Sequence, residues 1–321
     1  AGRLADVPRY AWQHERFWPD ERPPVPPRAA HAHPLLGPGI RLPGAPVRHI
    51  WQTELDTGRL PWLADHQVHG VPVLPGTGYA EMALAAACEA FDTEPARVTV
   101  KDLDYRGLLP VGRPVTVTTT LTVTGDGEGE LEIVTERNGR PLVQATARLT
   151  LASTGASGAS GTSAPVAEPP PGRRIPATAV YERLRAMGQF HGPRFAALTD
   201  LTVEGDEALA VIRWPDQLPP HPLLRCHPAL LDACLHGLAG LLPEGGTGDL
   251  LPVGVDRLHL AGDPSTVRFS RARLRETEGG YTADVRVLDA DGATVAELDG
   301  LRLRPVSGDA LPVPVDDLLH T

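Results

Sequence analysis

Residues 65–91 read DHQVHGVPVLPGTGYAEMALAAACEAF, and the chain changes character within them at Pro75 and Gly76. Ahead of that point lie histidine, glycine, valine and proline, the composition of short strands and tight turns. Beyond it, residues 76–91 are rich in Ala, Leu, Met and Glu, which favour helix, with too few charges to make a solvated face. A helix apolar on all sides has to be enclosed, and this one is well short of the roughly 20 apolar residues of a membrane span. The flanking sequence supplies the enclosure. Residues 47–55 and 97–103 read as strands, and 114–124 (PVTVTTTLTVT) alternate so regularly that one face is buried. Residues 130–136 and 142–151 return, with Asn138-Gly139 as the hairpin turn.

The same grammar recurs after a break. Residues 152–173 (ASTGASGASGTSAPVAEPPPGR) hold almost nothing worth burying and read as a flexible tether. After it come a strand at 209–214, an apolar helix at 228–242 (PALLDACLHGLAGLL), and strands at 267–276, 281–288 and 294–303, the last two joined by Asp291-Gly292. Each half is therefore expected to wrap one curved antiparallel sheet around one helix. The fold class is α+β, a double hot-dog, with half-barrels at 33–151 and 174–306, a linker over 152–173 and further linkers at 1–32 and 307–321.

The 321 residues are 41% hydrophobic, enough for two packed cores. A net charge of −10 leaves no basic field, so neither nucleic acid nor an anionic membrane surface is expected as a partner. Cys88, Cys226 and Cys234 are odd in number and lack metal-site spacing, which suits a reducing, cytoplasmic protein. The opening residues lack signal-peptide order, in keeping with that location. His66 and His69 form HxxH without a third ligand or a helical frame, so no metal site is expected. His69 reads as a surface loop residue and His227, just before Pro228, as a helix cap or packing residue. No GxSxG elbow occurs, and GDGEG at 125–129 fits a hairpin turn better than a phosphate loop.

Four segments carry candidate chemistry. His66, Gly70 and Pro75 make HxxxGxxxxP directly ahead of the first helix, continuing to Glu81 and Ala86, with HPLLG at 33–37. HPALLDACLHG at 227–237 spaces Asp232 and His236 by four, on one helical face. GQFHGPRF at 188–195 and LPVGV at 251–255 complete the set. Together these resemble the dehydratase domains of modular type I polyketide synthases, over residues 33 to about 305, and YAWQHERFW at 10–18 resembles the segment trailing their acyltransferase.

The resemblance implies a hydro-lyase that removes water from a 3-hydroxyacyl thioester to leave an enoyl thioester. The substrate would ride on the 4'-phosphopantetheine of an acyl carrier protein, with no intrinsic cofactor. Neighbouring synthase domains and a second copy in a homodimer are the other implied partners. It assigns catalysis to His66 and Asp232, and positioning to Gly76, His236 and His191. The tunnel would be lined by Val71, Pro75, Phe190, Gly192, Pro193, Leu251, Pro252 and Val253. Two departures stand out: His191 occupies the place of a usual tyrosine, and LPVGV lacks the aromatic residues of the family's LPF-type loop. An imidazole there could favour double-bond migration or oxa-Michael ring closure at the same site, and a non-catalytic scaffold is the reading from another class.

Elementary chemistry supports these roles. A proton beside a thioester carbonyl is weakly acidic, so a base needs help from fixed donors at the developing enolate oxygen. Pro75-Gly76 opens a helix whose first N–H groups have no intrahelical acceptor, and glycine allows close approach. A carboxyl inside an apolar helix is costly to ionise, so Asp232 is expected to be protonated and to donate to the leaving hydroxyl.

Overall fold

A computed structural model describes residues 32–137, 139–152, 172–243 and 250–305. The expected linkers at 1–32, 152–173 and 307–321 fall almost wholly outside these residues. The chain runs β1 (Gly39–Leu42), β2 (Arg48–Leu55), β3 (His66–Val68), β4 (Val71–Pro72), α1 (Gly76–Phe91), β5 (Val98–Tyr105), β6 (Val115–Gly125), β7 (Glu128–Arg137) and β8 (Arg140–Leu151). It continues with β9 (Arg173–Pro176), α2 (Ala177–Ala186), β10 (Gln189–His191), β11 (Leu198–Glu204), β12 (Glu207–Ile212) and α3 (Pro228–Ala233). The last strands are β13 (Leu250–Leu260), β14 (Val267–Thr277), β15 (Gly280–Asp289) and β16 (Thr294–Pro305).

α1 begins and ends where its composition predicts. Thr77 to Cys88 are all buried, as an all-round apolar helix requires, and Asp92 closes it in the left-handed conformation with its N–H on the Cys88 carbonyl. Full burial of a side chain such as Met82 or Leu84 contributes about 1.5–3 kcal/mol. The alternating strands close around it: in β6, Val117, Thr119 and Leu121 are buried while their neighbours are not. β7 and β8 form the expected hairpin, with Arg137 opposite Arg140 and Gly139 at φ 71°.

The two half-barrels do not merely lie side by side. Their sheets form one thirteen-stranded sheet, in the order β1-β2-β6-β7-β8-β5-β13-β16-β15-β14-β12-β11-β9. The seam is antiparallel pairing of β5 with β13, running from Gly254 opposite Asp104 to His259 opposite Thr99. Arg302 reaches across it to Asp104 at 2.5 Å, a part-buried pair worth about 1 kcal/mol. The backbone bonds and the apolar cluster shared by both halves therefore hold the seam.

The second helix corrects the expectation of one continuous helix over 228–242. α3 ends at Ala233, and His236–Gly240 form a separate 3-10 turn. The Cys234 carbonyl accepts from Ser270 Oγ at 2.6 Å, and Leu235 N–H bonds back to Asp232 three residues earlier. The turn packs closely on the sheet, where a Cβ on Gly240 would meet Leu201 Cδ2 at 2.5 Å and displace that side chain.

Candidate active site

Three short strands outside the main sheet bring the halves together at one point. β10, from the second half, pairs antiparallel with β3 from the first, and the register sets His191 directly opposite His66. Side chains of directly opposed residues share one face, and the two imidazole centroids lie 5.4 Å apart. β3 turns into β4 through His69 and Gly70, with φ 48° and 78°, so glycine at the second position relieves the strain. His69 N–H bonds Gly188 O at 2.8 Å, and Gly192 N–H bonds Asp65 O at 2.7 Å. The Asp65 carboxylate also accepts from Arg194 N at 2.9 Å, which ties the 192–194 loop to the residue beside His66.

His66 Nδ1 lies 3.0 Å from the Val73 carbonyl. A carbonyl only accepts, so Nδ1 carries the hydrogen and the Nε2 lone pair is free to take a proton. Burial lowers the His66 pKa from 6.5 despite the opposing pull of Asp232. Burial, then His236, holds His191 well below the ordinary range too. Both rings are neutral at neutral pH.

Asp232 projects from α3 with Oδ2 3.0 Å from His236 Nε2 and 3.6 Å from His191 Nε2. One side-chain N or O atom from each of His66, His191 and Asp232 lies within 4.8 Å of the others. A base from one half and a carboxyl from the other thus face a shared point. Burial acts to raise the Asp232 pKa, while the His236 hydrogen bond and the neighbouring imidazoles act to lower it. Asp232 is not a lone carboxyl: its Oδ2 and His236 Nε2 form one hydrogen-bonded pair. Tyr181 Oη lies 3.3 Å from His236 Nδ1 and helps to orient the ring.

The comparisons with known proteins agree on one family. The model of the polyketide synthase dehydratase domain matches residues 33–136, and that of the polyketide synthase dehydratase N-terminal domain matches 159–312. The dehydratase domain of a mycocerosic acid synthase-like polyketide synthase superposes with a TM-score of 0.75 at 31% identity, covering 86% of this chain and 98% of that one. The chain belongs to the polyketide synthase dehydratase domains. A second structure, the dehydratase domain of PpsC from Mycobacterium tuberculosis in complex with C12:1-CoA, gives a TM-score of 0.74 at 30% identity over 86% of this chain and 100% of that one. A full-length relative, the mycocerosic acid synthase-like polyketide synthase of Mycobacterium tuberculosis, is 35% identical over 94% of this chain. The chain spans only 15% of that relative's length. No helix among the described residues is long and apolar enough to cross a membrane.

The remaining residues of the dehydratase domain divide between the site and its surroundings. Gly76 opens α1 with Pro75 as its N-cap, and a Cβ there would lie 2.8 Å from the Tyr105 ring. The helix starts are joined: Thr77 Oγ1 donates to Pro228 O at 3.0 Å, and buried Glu81 accepts from Arg225 N at 2.6 Å, Cys226 N at 2.8 Å and His33 Nε2 at 3.0 Å. His227 caps α3, its Nδ1 accepting from Ala229 N at 3.2 Å. A narrow cavity of about 50 Å³ opens beside His191, Asp232 and His236, walled by Met187, Leu250 and Pro252 among others. Larger clefts, of about 560 and 670 Å³, lie elsewhere and include none of His66, His191, Asp232 or His236.

Several expected tunnel residues sit apart from that cavity. Strand alternation turns Leu251 away from Leu250 and Pro252, into a small apolar cluster with Val68, Val71 and Val73. Val253 falls at the register shift between Pro252 and Gly254 and does not line the cavity. Pro193 is exposed on the loop, and Phe190, paired with Gln67, is 37% exposed beneath the Arg185 guanidinium. Gly192 is buried with no room for a side chain, since a Cβ would meet Asp65 at 2.6 Å.

Sequence reasoning missed Asp65, Tyr181 and Tyr105. Tyr181 lies on α2, whose signal was Pro176 ahead of the buried pair Val180 and Leu184 at helical spacing. Asp65 adjoins His66 in sequence, but its partners are more than a hundred residues away.

Proposed function

We propose that this domain removes water from a 3-hydroxyacyl group held as a thioester on the phosphopantetheine arm of an acyl carrier protein, during polyketide chain extension. The observation that carries the reading is the approach, to within 4.8 Å, of side-chain atoms of His66 and Asp232 from opposite halves of the fold. That separation lets one group reach the α-hydrogen and the other the β-hydroxyl of a single three-carbon unit. His66 Nε2 takes the α-proton while the thioester oxygen, gathering charge, is held at the start of α1 by the Gly76 N–H. The Cα–H electrons form the double bond, the Cβ–O bond breaks, and the Asp232–His236 pair gives its proton to the departing oxygen, which leaves as water. The proton then held by His66 returns to the pair, restoring the starting state. His191 donates a hydrogen bond near the hydroxyl in place of a phenol. The acyl-CoA bound by the PpsC domain, an acyl thioester, supports this substrate class.

The test is incubation with a 3-hydroxyacyl carrier-protein thioester and mass spectrometry of the loaded arm. Loss of one water is expected, abolished or reduced about 10²–10⁴-fold in His66→Ala. An unchanged acyl mass with well-folded protein would sink the proposal in favour of a scaffold role. A substrate with a distal hydroxyl separates plain dehydration from ring closure, because closure keeps the alkene's mass and loses its conjugated absorbance.

A further inference from the structure

The histidine at position 191 gives this site a property that the elimination does not call on. We propose that His66, His191 and Asp232 bind one divalent transition-metal ion, zinc in the first instance, and that the bound ion blocks substrate turnover. The blocking half rests on the function proposed above, whereas the binding half rests on geometry alone.

Ligand atoms of a tetrahedral zinc site stand about 2.0–2.2 Å from the ion and therefore about 3.3–3.6 Å from one another. His191 Nε2 and Asp232 Oδ2 already lie 3.6 Å apart, and all three candidate donors fall within 4.8 Å. Binding would draw the most distant pair of donors together by at most about 1.5 Å. The surrounding contacts are those that orient metal ligands. His66 Nδ1–H is fixed on the Val73 carbonyl, which leaves Nε2 as the coordinating atom. His236 Nε2 bonds the Asp232 carboxylate at 3.0 Å and fixes its plane. His191 is nearly fully buried against the His236 ring, and its Nδ1 has no hydrogen-bond partner among the described residues, so packing alone orients this ligand. Two imidazoles and one carboxylate suit zinc, cobalt, nickel or copper, and leave a position for water.

The three ligands come from β3, β10 and α3, so neither the HxxH spacing nor any other local motif reveals them. A bound ion takes the His66 lone pair that would otherwise receive the α-proton, and it occupies the carboxylate opposite. Metal and substrate thus compete for one state of the site.

Chelator-stripped domain titrated with Co²⁺ reads binding directly, since tetrahedral cobalt with nitrogen and oxygen ligands absorbs visibly, and Zn²⁺ should displace it. One ion per chain is expected, with affinity weakened at least about 100-fold in His191→Tyr and in Asp232→Asn, and unchanged in the surface control His221→Ala. Circular dichroism identifies any variant that fails to fold, and either of the two suffices. Zinc inhibition that is competitive with the acyl substrate and reversed by chelator is the second expected result. Equal affinity in a folded His191→Tyr or Asp232→Asn protein overturns the site. Stoichiometric binding that leaves turnover intact overturns the block. Because the cobalt spectrum needs no turnover, a domain that binds cobalt but dehydrates nothing refutes the function and not the metal site.

Discussion

Gly76→Ala puts the placement of the α1 N-terminus to a direct test. The new methyl carbon would lie 2.8, 2.9 and 3.1 Å from Cε2, Cζ and Oη of Tyr105, so ring and helix start must separate by about 0.6 Å to reach ordinary contact. The Tyr105 ring has little room to retreat, because it stacks on Tyr79 with centroids 5.7 Å apart and its strand pairs with β8. Overpacking of this kind costs about 1–3 kcal/mol, and the preference of helices for alanine returns up to about 1 kcal/mol of it. Net destabilisation is thus expected to stay near 1–2 kcal/mol, too small to unfold the domain. Activity should suffer far more, because a displaced helix start carries the Gly76 N–H away from the enolate oxygen. Loss of one such donor lowers kcat about 10²–10³-fold. Single-turnover dehydration of an acyl carrier-protein substrate reads kcat, and thermal denaturation reads stability. Gly78→Ala is the control: its Cβ meets Leu74 Cδ1 at 2.7 Å, but that is the end of a flexible side chain able to rotate, so kcat should hold. Trimming the obstacle in Gly76→Ala/Tyr105→Ala should recover part of the rate. A Gly76→Ala protein that turns over within about twofold of the parent would refute the oxyanion role.

If neutral His66 is the base, as proposed, the lowering of its pKa by burial means that kcat/KM should rise with pH through an acid limb centred below the ordinary 6.5. A limb centred above 6.5 in the pH–rate profile would contradict that. Tyr181→Phe removes the hydroxyl that accepts from Leu198 N at 3.0 Å and faces His236 Nδ1. Stability should fall by about 1–3 kcal/mol and kcat should drop with KM little changed, whereas an unmoved kcat would make Tyr181 merely structural. Glu81→Ala strips the acceptor from three donors that clamp α1 to the segment ahead of α3, and should destabilise by about 3–5 kcal/mol in urea unfolding. A loss under about 1 kcal/mol would show that the clamp is dispensable.

What the sequence made legible follows from the range of the interactions concerned. α1, the long alternating strands and the Asn138-Gly139 hairpin depend on neighbours a few residues away, and periodicity reports them faithfully. His66, Asp232 and His236 were found because motif spacing and family resemblance both mark them. The seam between β5 and β13 was not legible, since both strands simply read as strands and nothing local says which edges meet. The β3–β10 pairing escaped for a sharper reason: each strand is only three residues long, below the length at which alternation can be recognised. The surroundings of Asp232 were only half legible: its burial and His236 were visible from its own helix, while His66 and His191 reach it from two other segments. The packing of Leu251 with Val68, Val71 and Val73 was not legible from its motif, because those partners lie some 180 residues away.

The cross-strand facing of His66 and His191 also limits how this domain can change over generations. Because successive strand residues point to opposite sides, inserting or deleting a single residue between Gly188 and His191 would swing the imidazole out of the site and bring Phe190 or Gly192 in. Point substitutions along this stretch can be graded by degree, but a frame-preserving gain or loss of one codon cannot. Among homologues, the spacing from the end of α2 to the histidine or its replacement should therefore be more uniform in length than in letters.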